Sequence, residues 1–259
     1  MKLIQMMVGG VVLSMTITLQ GVSENATADA KSILSRIQNR LQSAKSVKVI
    51  VRENLKGVNV ETKFMGKQIE KDIISFRQES VALVAGEKQQ PFIQLMDRNK
   101  LYFFPTGCGN VVVRMKFMED KKQNFLAQLF RSDGKVEMLK GNDTLYSIRY
   151  ICAQEEIDEM EKDLKKKFGK AFNKELIPSI LEYKITKKDL TLTEIIGYSE
   201  KGRLIKRQMI SDWAFDLAIP DSTFQVPSKY KLYTANSEKE AERIQAELVK
   251  KALARQHGK

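Results

Sequence analysis

Ser211 to Leu232 reads SDWAFDLAIPDSTFQVPSKYKL and holds the only Trp of the chain, three Asp, two Phe and two Pro in one short run. Trp213, Phe215, Leu217 and Ile219 alternate with Ala214, Asp216 and Ala218, which is the period of a strand with one apolar face. The alternation turns Asp216 away from that face. Asp221 follows Pro220 and precedes Ser222, where a turn or a side-chain cap accounts for it. The three acids therefore read as the wet side and the turns of a closing strand, and the two prolines bracket its exit.

Just before this stretch, and running into it, LTLTEIIGYSE and RLIKRQMISDW are two strands joined by a turn ending at Gly202. Farther upstream the same short runs recur: SVKVIVREN, VNVETKFMG, DIISFRQES, PFIQLMD, KLYFFP, NVVVRMKF, EMLKGNDTLYSIRYICA and LEYKITKKD. Gly57, Gly66, Gly86, Asn99 and the cluster Pro105 to Asn110 are read as the turns between them. In NVVVRMKF, Val111, Val113, Met115 and Phe117 fall on one face against Arg114 and Lys116, so one side of the sheet is expected to be wet. Tyr146, Ile148, Tyr150 and Cys152 share a face in the same way.

Four segments change to the helical period. Ile33, Leu34, Ile37, Leu41 and Ala44 make an amphipathic helix ahead of the first strand. Phe125, Leu126, Leu129 and Phe130 predict a second helix, stopped near Gly134. Ile157, Met160, Leu164 and Phe168 carry a third, whose acids come first and lysines last, as the helix dipole favours. Ser237 and Glu240 open a terminal helix with a capping box, and Ala241, Ile244, Leu248, Val249 and Ala252 form its apolar stripe. A run of antiparallel strands with helices before, between and after them predicts an α+β domain: one strongly curved antiparallel sheet, an incomplete, half-open β-barrel, covered by helices.

The first residues carry an address. Met1 and Lys2 precede an apolar stretch from Leu3 to Leu19, followed by small-residue sites at Ala26, Ala28 and Ala30, the pattern of a cleavable secretion signal. The division expected is 1–28 for the signal, 29–236 for the binding domain and 237–259 for the terminal helix. The remaining chain, about 230 residues, suits one domain. The net charge of +12 is spread along it and favours anionic partners; export makes nucleic acid the least favoured of these. The two cysteines, Cys108 and Cys152, meet an oxidising compartment that permits a disulfide, worth roughly 4 kcal/mol on the chain-entropy model. A buried free thiol is the alternative.

Enzyme chemistry is poorly supplied. The one histidine, His257, lies two residues from the end, where it cannot serve a Ser-His-Asp or Cys-His relay. Two cysteines do not fill a zinc tetrahedron, and neither GEKQQP nor GCGNVV has the spacing of a phosphate loop. The expectation is no enzyme, no metal and no cofactor. A half-closed barrel under helices encloses an apolar cavity suited to lipid or acyl chains. Phe64, Ile74, Phe76, Phe103, Met115, Ile148, Tyr150 and Met209 are the residues expected to line it, with ordinary core packing as the competing reading for each.

The C-terminal stretch from Gly197 to Leu232 resembles the last hairpin and closing segment of the periplasmic outer-membrane lipoprotein carrier (LolA-like) superfamily. The likeness is carried by Ile219, Pro220, Asp221, Ser222, Phe224 and Pro227 and by the order of signal, amphipathic helix and SVKVIVREN strand. The resemblance implies a periplasmic carrier that holds lipoprotein acyl chains or another lipid and serves outer-membrane lipoprotein sorting. It also implies a lid contact from an arginine, for which Arg52 is the candidate. Relatives on this fold include envelope sensors, so an interaction protein with a small or filled cavity is the alternative function, partnered by an envelope or membrane protein. The charged helix from Gln154 and the helix from Ser237 depart from the family pattern.

Overall fold

The computed structural model describes residues 26–55, 58–70, 73–84, 86–98, 100–116, 134–169 and 172–257. The secretion signal up to residue 25 and most of the helix expected around Phe125 lie outside these residues. The elements run α1 (Ala26–Ser43), β1 (Ser46–Leu55), β2 (Val58–Glu70), β3 (Ile73–Val84), β4 (Glu87–Lys88), β5 (Phe92–Asp97), β6 (Lys100–Phe104) and β7 (Val111–Lys116). They continue with β8 (Lys135–Leu139), β9 (Leu145–Ile151), α2 (Gln154–Phe168), β10 (Ile180–Thr186), β11 (Leu192–Tyr198), β12 (Leu204–Phe215), β13 (Lys231–Ala235) and α3 (Glu238–His257).

The described strands form one 13-stranded sheet in the order β13-β7-β6-β5-β3-β2-β1-β12-β11-β10-β9-β8, with β4 paired to β3. Two antiparallel meanders, one from β1 to β7 and one from β8 to β12, are joined where β1 pairs with β12. Among the described residues the edge strands β13 and β8 do not pair, so the sheet is unclosed. It is nevertheless strongly curved. Leu101 of β6, Phe76, Phe64, Val49, Ile210, Tyr183, Ile148 and Val136 of β8 belong to one apolar cluster together with Ile33, Leu34, Ile37 and Leu41 of α1. Strands that far apart in the sheet share a core only when the sheet curls around the helix between them. Arg40 fastens the end of α1, its guanidinium 4.1 Å above the Phe215 ring and its Nη1 donating to the Asp189 carbonyl at 2.9 Å.

The terminal helix docks as its stripe predicts. Ala241, Ile244 and Leu248 pack with Val113, Met115, Tyr233 and Ala235. Ser237 Oγ accepts from the Glu240 N–H at 3.2 Å, but the Glu240 carboxylate reaches back to the N–H of Asn236, one residue before the position a capping box uses.

Four features depart from the sequence reading. Gly66 is not a turn: β2 runs unbroken through it, paired with Val47 and Phe76, and a Cβ there would stand 3.0 Å from the Phe64 ring. The sheet closes with a parallel pair, β13 on β7, where antiparallel strands were expected. Between β12 and β13 the chain crosses the convex face as a strap. On that face Phe224 is buried, Lys67 Nζ meets Asp221 at 2.6 Å, and Val226 and Tyr230 pack on Leu95, Phe104 and Val112. Hence β7 is dry on both faces at its centre, with Val112 as buried as Val113. Finally, Leu217 is exposed. The strand ends at Phe215, and of the two apolar residues beyond it only Ile219 is buried.

Helix α2 is held to β9 by one hydroxyl. Tyr150 Oη accepts from the Gly134 N–H at 2.7 Å and donates to Glu156 Oε1 at 2.7 Å, while Glu156 Oε2 accepts from the Ala153 N–H. Burial and the facing carboxylate push the Tyr150 hydroxyl well above the usual phenol range. Replacing Tyr150 by Phe strands a buried N–H, so urea denaturation should show a loss of about 1–3 kcal/mol; an unchanged midpoint contradicts this role.

Candidate functional site: the concave face

Six of the eight residues expected to line a cavity come together on the concave face. Phe64, Phe76, Ile148 and Tyr150 are buried in the main cluster, and Phe103 and Met115 pack at its edge, partly buried. The register makes this a continuous floor: Val49 lies opposite Phe64, Phe76 opposite Met96, and Leu101 opposite both Met96 and Met115. The Phe64 and Phe76 rings stack at 5.8 Å. Ile74 stands on β3, but its side chain lies outside the described residues.

Met209 is misplaced by the sequence reading. It is 58 % exposed on the convex side, and the cause is a bulge in β12. Lys48 pairs with Ala214 but Ile50 with Ser211, so three steps of β12 match two of β1, and Asp212 takes up the excess at φ 56°. A bulge inverts the alternation: Trp213 and Phe215 face inward, and so do Ile210 and Gln208. Arg52, opposite Met209, is also convex. Its Nε donates to Glu61 at 2.9 Å and its Nη1 to Ser211 Oγ at 3.0 Å, away from α1, so it is no lid contact. No disulfide joins the two cysteines. Cys108 sits in the β6–β7 turn and Cys152 after β9, in different meanders, with Cys152 Sγ directed at the Pro178 carbonyl.

The acids of the closing stretch are structural. Asp216, at φ 55°, accepts from the Lys45 N–H at 2.8 Å, and its own N–H donates to the Ser46 carbonyl. Asp221 holds Lys67, which keeps its carboxyl below the usual range. Among the described residues no three His, Cys, Asp or Glu side chains gather to hold a metal ion.

The concave face also carries something the sequence reading missed. A polar stripe crosses it diagonally: Gln208 on β12, Glu53 on β1, Thr62 on β2, Ser80 and Gln78 on β3, and Gln94 on β5, every one buried. Glu53 lies opposite Gln208, Thr62 opposite Ser80, and Gln78 opposite Gln94. Thr62 Oγ1 and Ser80 Oγ are 2.9 Å apart, and Gln78 Nε2 donates to Ser80 Oγ at 3.3 Å. Yet Glu53 Oε1, Gln78 Oε1 and Gln94 Nε2 find no hydrogen-bond partner among the described residues. In the strand sequence Arg77-Gln78-Glu79-Ser80 nothing distinguishes the two inward residues from their two outward neighbours.

Burial raises the Glu53 carboxyl above its ordinary 4.5, opposed by Lys206 and by a hydrogen bond with Gln208. The folded protein thus holds this proton to higher pH than the unfolded chain does. The contribution is stabilising below the ordinary value and is lost as pH rises through the folded one. Glu53→Gln should therefore raise Tm at pH 8 by about 2–4 °C for each kcal/mol recovered, and the gain should vanish by about pH 4. A gain equal at both pH values, or a loss at pH 8, contradicts the assignment.

No protein-family model and no curated protein matches the sequence. Solved structures of similar shape exist. A conserved protein from Thermus thermophilus is similar over 80 % of this chain and 99 % of its own, at 10 % identity and a TM-score of 0.48. MucB in its complex with MucA from Pseudomonas aeruginosa is similar over 80 % of this chain and 64 % of its own, at 10 % identity and a TM-score of 0.44. A LolA superfamily protein from Nitrosomonas europaea is similar over 76 % of this chain and 97 % of its own, at 13 % identity and a TM-score of 0.29.

Proposed function

We propose that the protein is an exported, periplasmic carrier that holds the acyl chains of a lipoprotein or another lipid on its concave face, in the service of outer-membrane lipoprotein sorting. The observation that carries this reading is the way the apolar floor is covered. Helices α1 and α3 meet the sheet through side chains, not through strand pairing, so the cover can lift without breaking a ladder of backbone hydrogen bonds. The same residues that pack against the helices then receive an acyl chain, at about 25 cal/mol per Å² of apolar surface buried. No covalent step is needed, and release requires only an acceptor of higher affinity.

A fluorescent fatty acid tests the reading. Saturable binding that an unlabelled fatty acid reverses supports a carrier, and absence of binding removes it. The signal peptide is part of the same proposal. Since Ala30 of α1 is fully buried in the core, cleavage after Ala28 preserves the core and cleavage after Ala30 does not; N-terminal sequencing of exported protein distinguishes them.

One observation favours the envelope-interaction reading. Beyond Leu248, α3 exposes Lys250, Lys251, Leu253 and Arg255, a basic, part-apolar surface. Truncation after Val249 keeps the docked half of the helix. Under this second reading it abolishes binding to an envelope protein and leaves fatty-acid uptake unchanged.

A further inference from the structure

We infer that the polar stripe is a recognition site for an amide group within the bound amphiphile, read by Gln78 and Gln94. The inference rests on the carrier reading and adds the ligand's chemistry to it. Both side chains are 1 % exposed and stand directly opposite each other on β3 and β5. Among the described residues one leaves a carbonyl oxygen without a donor and the other leaves an amino group without an acceptor. Buried polar atoms are ordinarily paired, and leaving them unpaired destabilises the fold. A secondary amide matches the pair: its N–H donates to Gln78 Oε1 and its carbonyl accepts from Gln94 Nε2. An ester of the same length offers acceptors only, so Gln78 Oε1 stays unpaired.

The surroundings fix what lies on either side of that amide. The stripe separates two apolar clusters, Phe64, Phe76 and Met96 on one side and Val60, Ala82 and Phe92 on the other. The site therefore suits a chain that is apolar, then amide, then apolar again. A free fatty acid has no such interior group, and a headgroup has no second apolar arm.

The test is displacement of a fluorescent fatty acid by two probes of matched shape, N-butyldecanamide and butyl decanoate. They are applied to the full chain and to a Gln78→Leu/Gln94→Leu variant. Wild type should bind the amide about tenfold more tightly than the ester. The variant should bind both equally and melt no lower than wild type, because leucine leaves no stranded polar atom. Equal affinities in wild type, or a preference that survives in the variant, overturn the inference and leave the carrier reading intact. A variant that unfolds or melts well below wild type also overturns it, since the two glutamines then serve the fold itself. If neither probe nor the fatty acid binds wild type, the carrier reading fails and this inference fails with it.

Discussion

Phe224→Ala should be the most destabilising single truncation outside the main core, lowering stability by about 3–5 kcal/mol. Phe224 is the fully buried side chain of the strap, 2 % exposed, in the 3₁₀ turn Asp221–Phe224. It sits where the chain leaves the β12 side of the sheet to reach the other edge. Losing it opens a cavity on the convex face and loosens the approach to β13, whose parallel pairing with β7 depends on that path. The effect should appear as a lower urea midpoint and as faster amide exchange along β13. Removing the neighbouring ion pair with Asp221→Ala should do little, because that carboxylate is open to solvent and such pairs are screened. A Phe224→Ala variant within 1 kcal/mol of wild type would mean that the strap is held elsewhere.

Ile37→Asp should have the second large effect, and its character matters more than its size. Ile37 is buried between α1 and the sheet, and an unpaired charge there costs several kcal/mol unless the helix moves away. If α1 is a separable cover, the variant keeps the sheet and exposes the concave floor. The circular dichroism of the strands is then retained while a dye that binds exposed apolar surface brightens. If α1 is simply the core of the domain, helix and sheet unfold together in one transition. That second outcome removes the opening step on which lipid entry depends.

These results turn on features that the sequence disclosed unevenly. The hairpin before Trp213, the amphipathic α1 and the docking stripe of α3 are local patterns, and each stands as its spacing predicts. The closing stretch was legible as scaffold for the same reason: its acids alternate with apolar residues or follow proline. What escaped depends on distant partners. The bulge at Asp212 inverts the parity of β12, so alternation counted back from Trp213 puts Met209 inside, when Ile210 and Gln208 are. Gly66 signals a turn unless one knows that Phe64 and Val47 close around it. Val112 reads as a wet-side residue because the strap that dries it arrives more than a hundred residues later. Gln78 and Gln94 are the hardest case. Inward and outward polar residues look alike on a strand, and only burial separates them.

The central claim is that the concave face is a lipid site, and mass spectrometry under native conditions on gently purified mature protein tests it most directly. The account predicts a protein peak with a bound amphiphile that dissociates on activation, with an acyl amide in its fragment spectrum. Protein that is fully folded, emerges without a bound lipid and takes up none when challenged with an added fatty acid would contradict it.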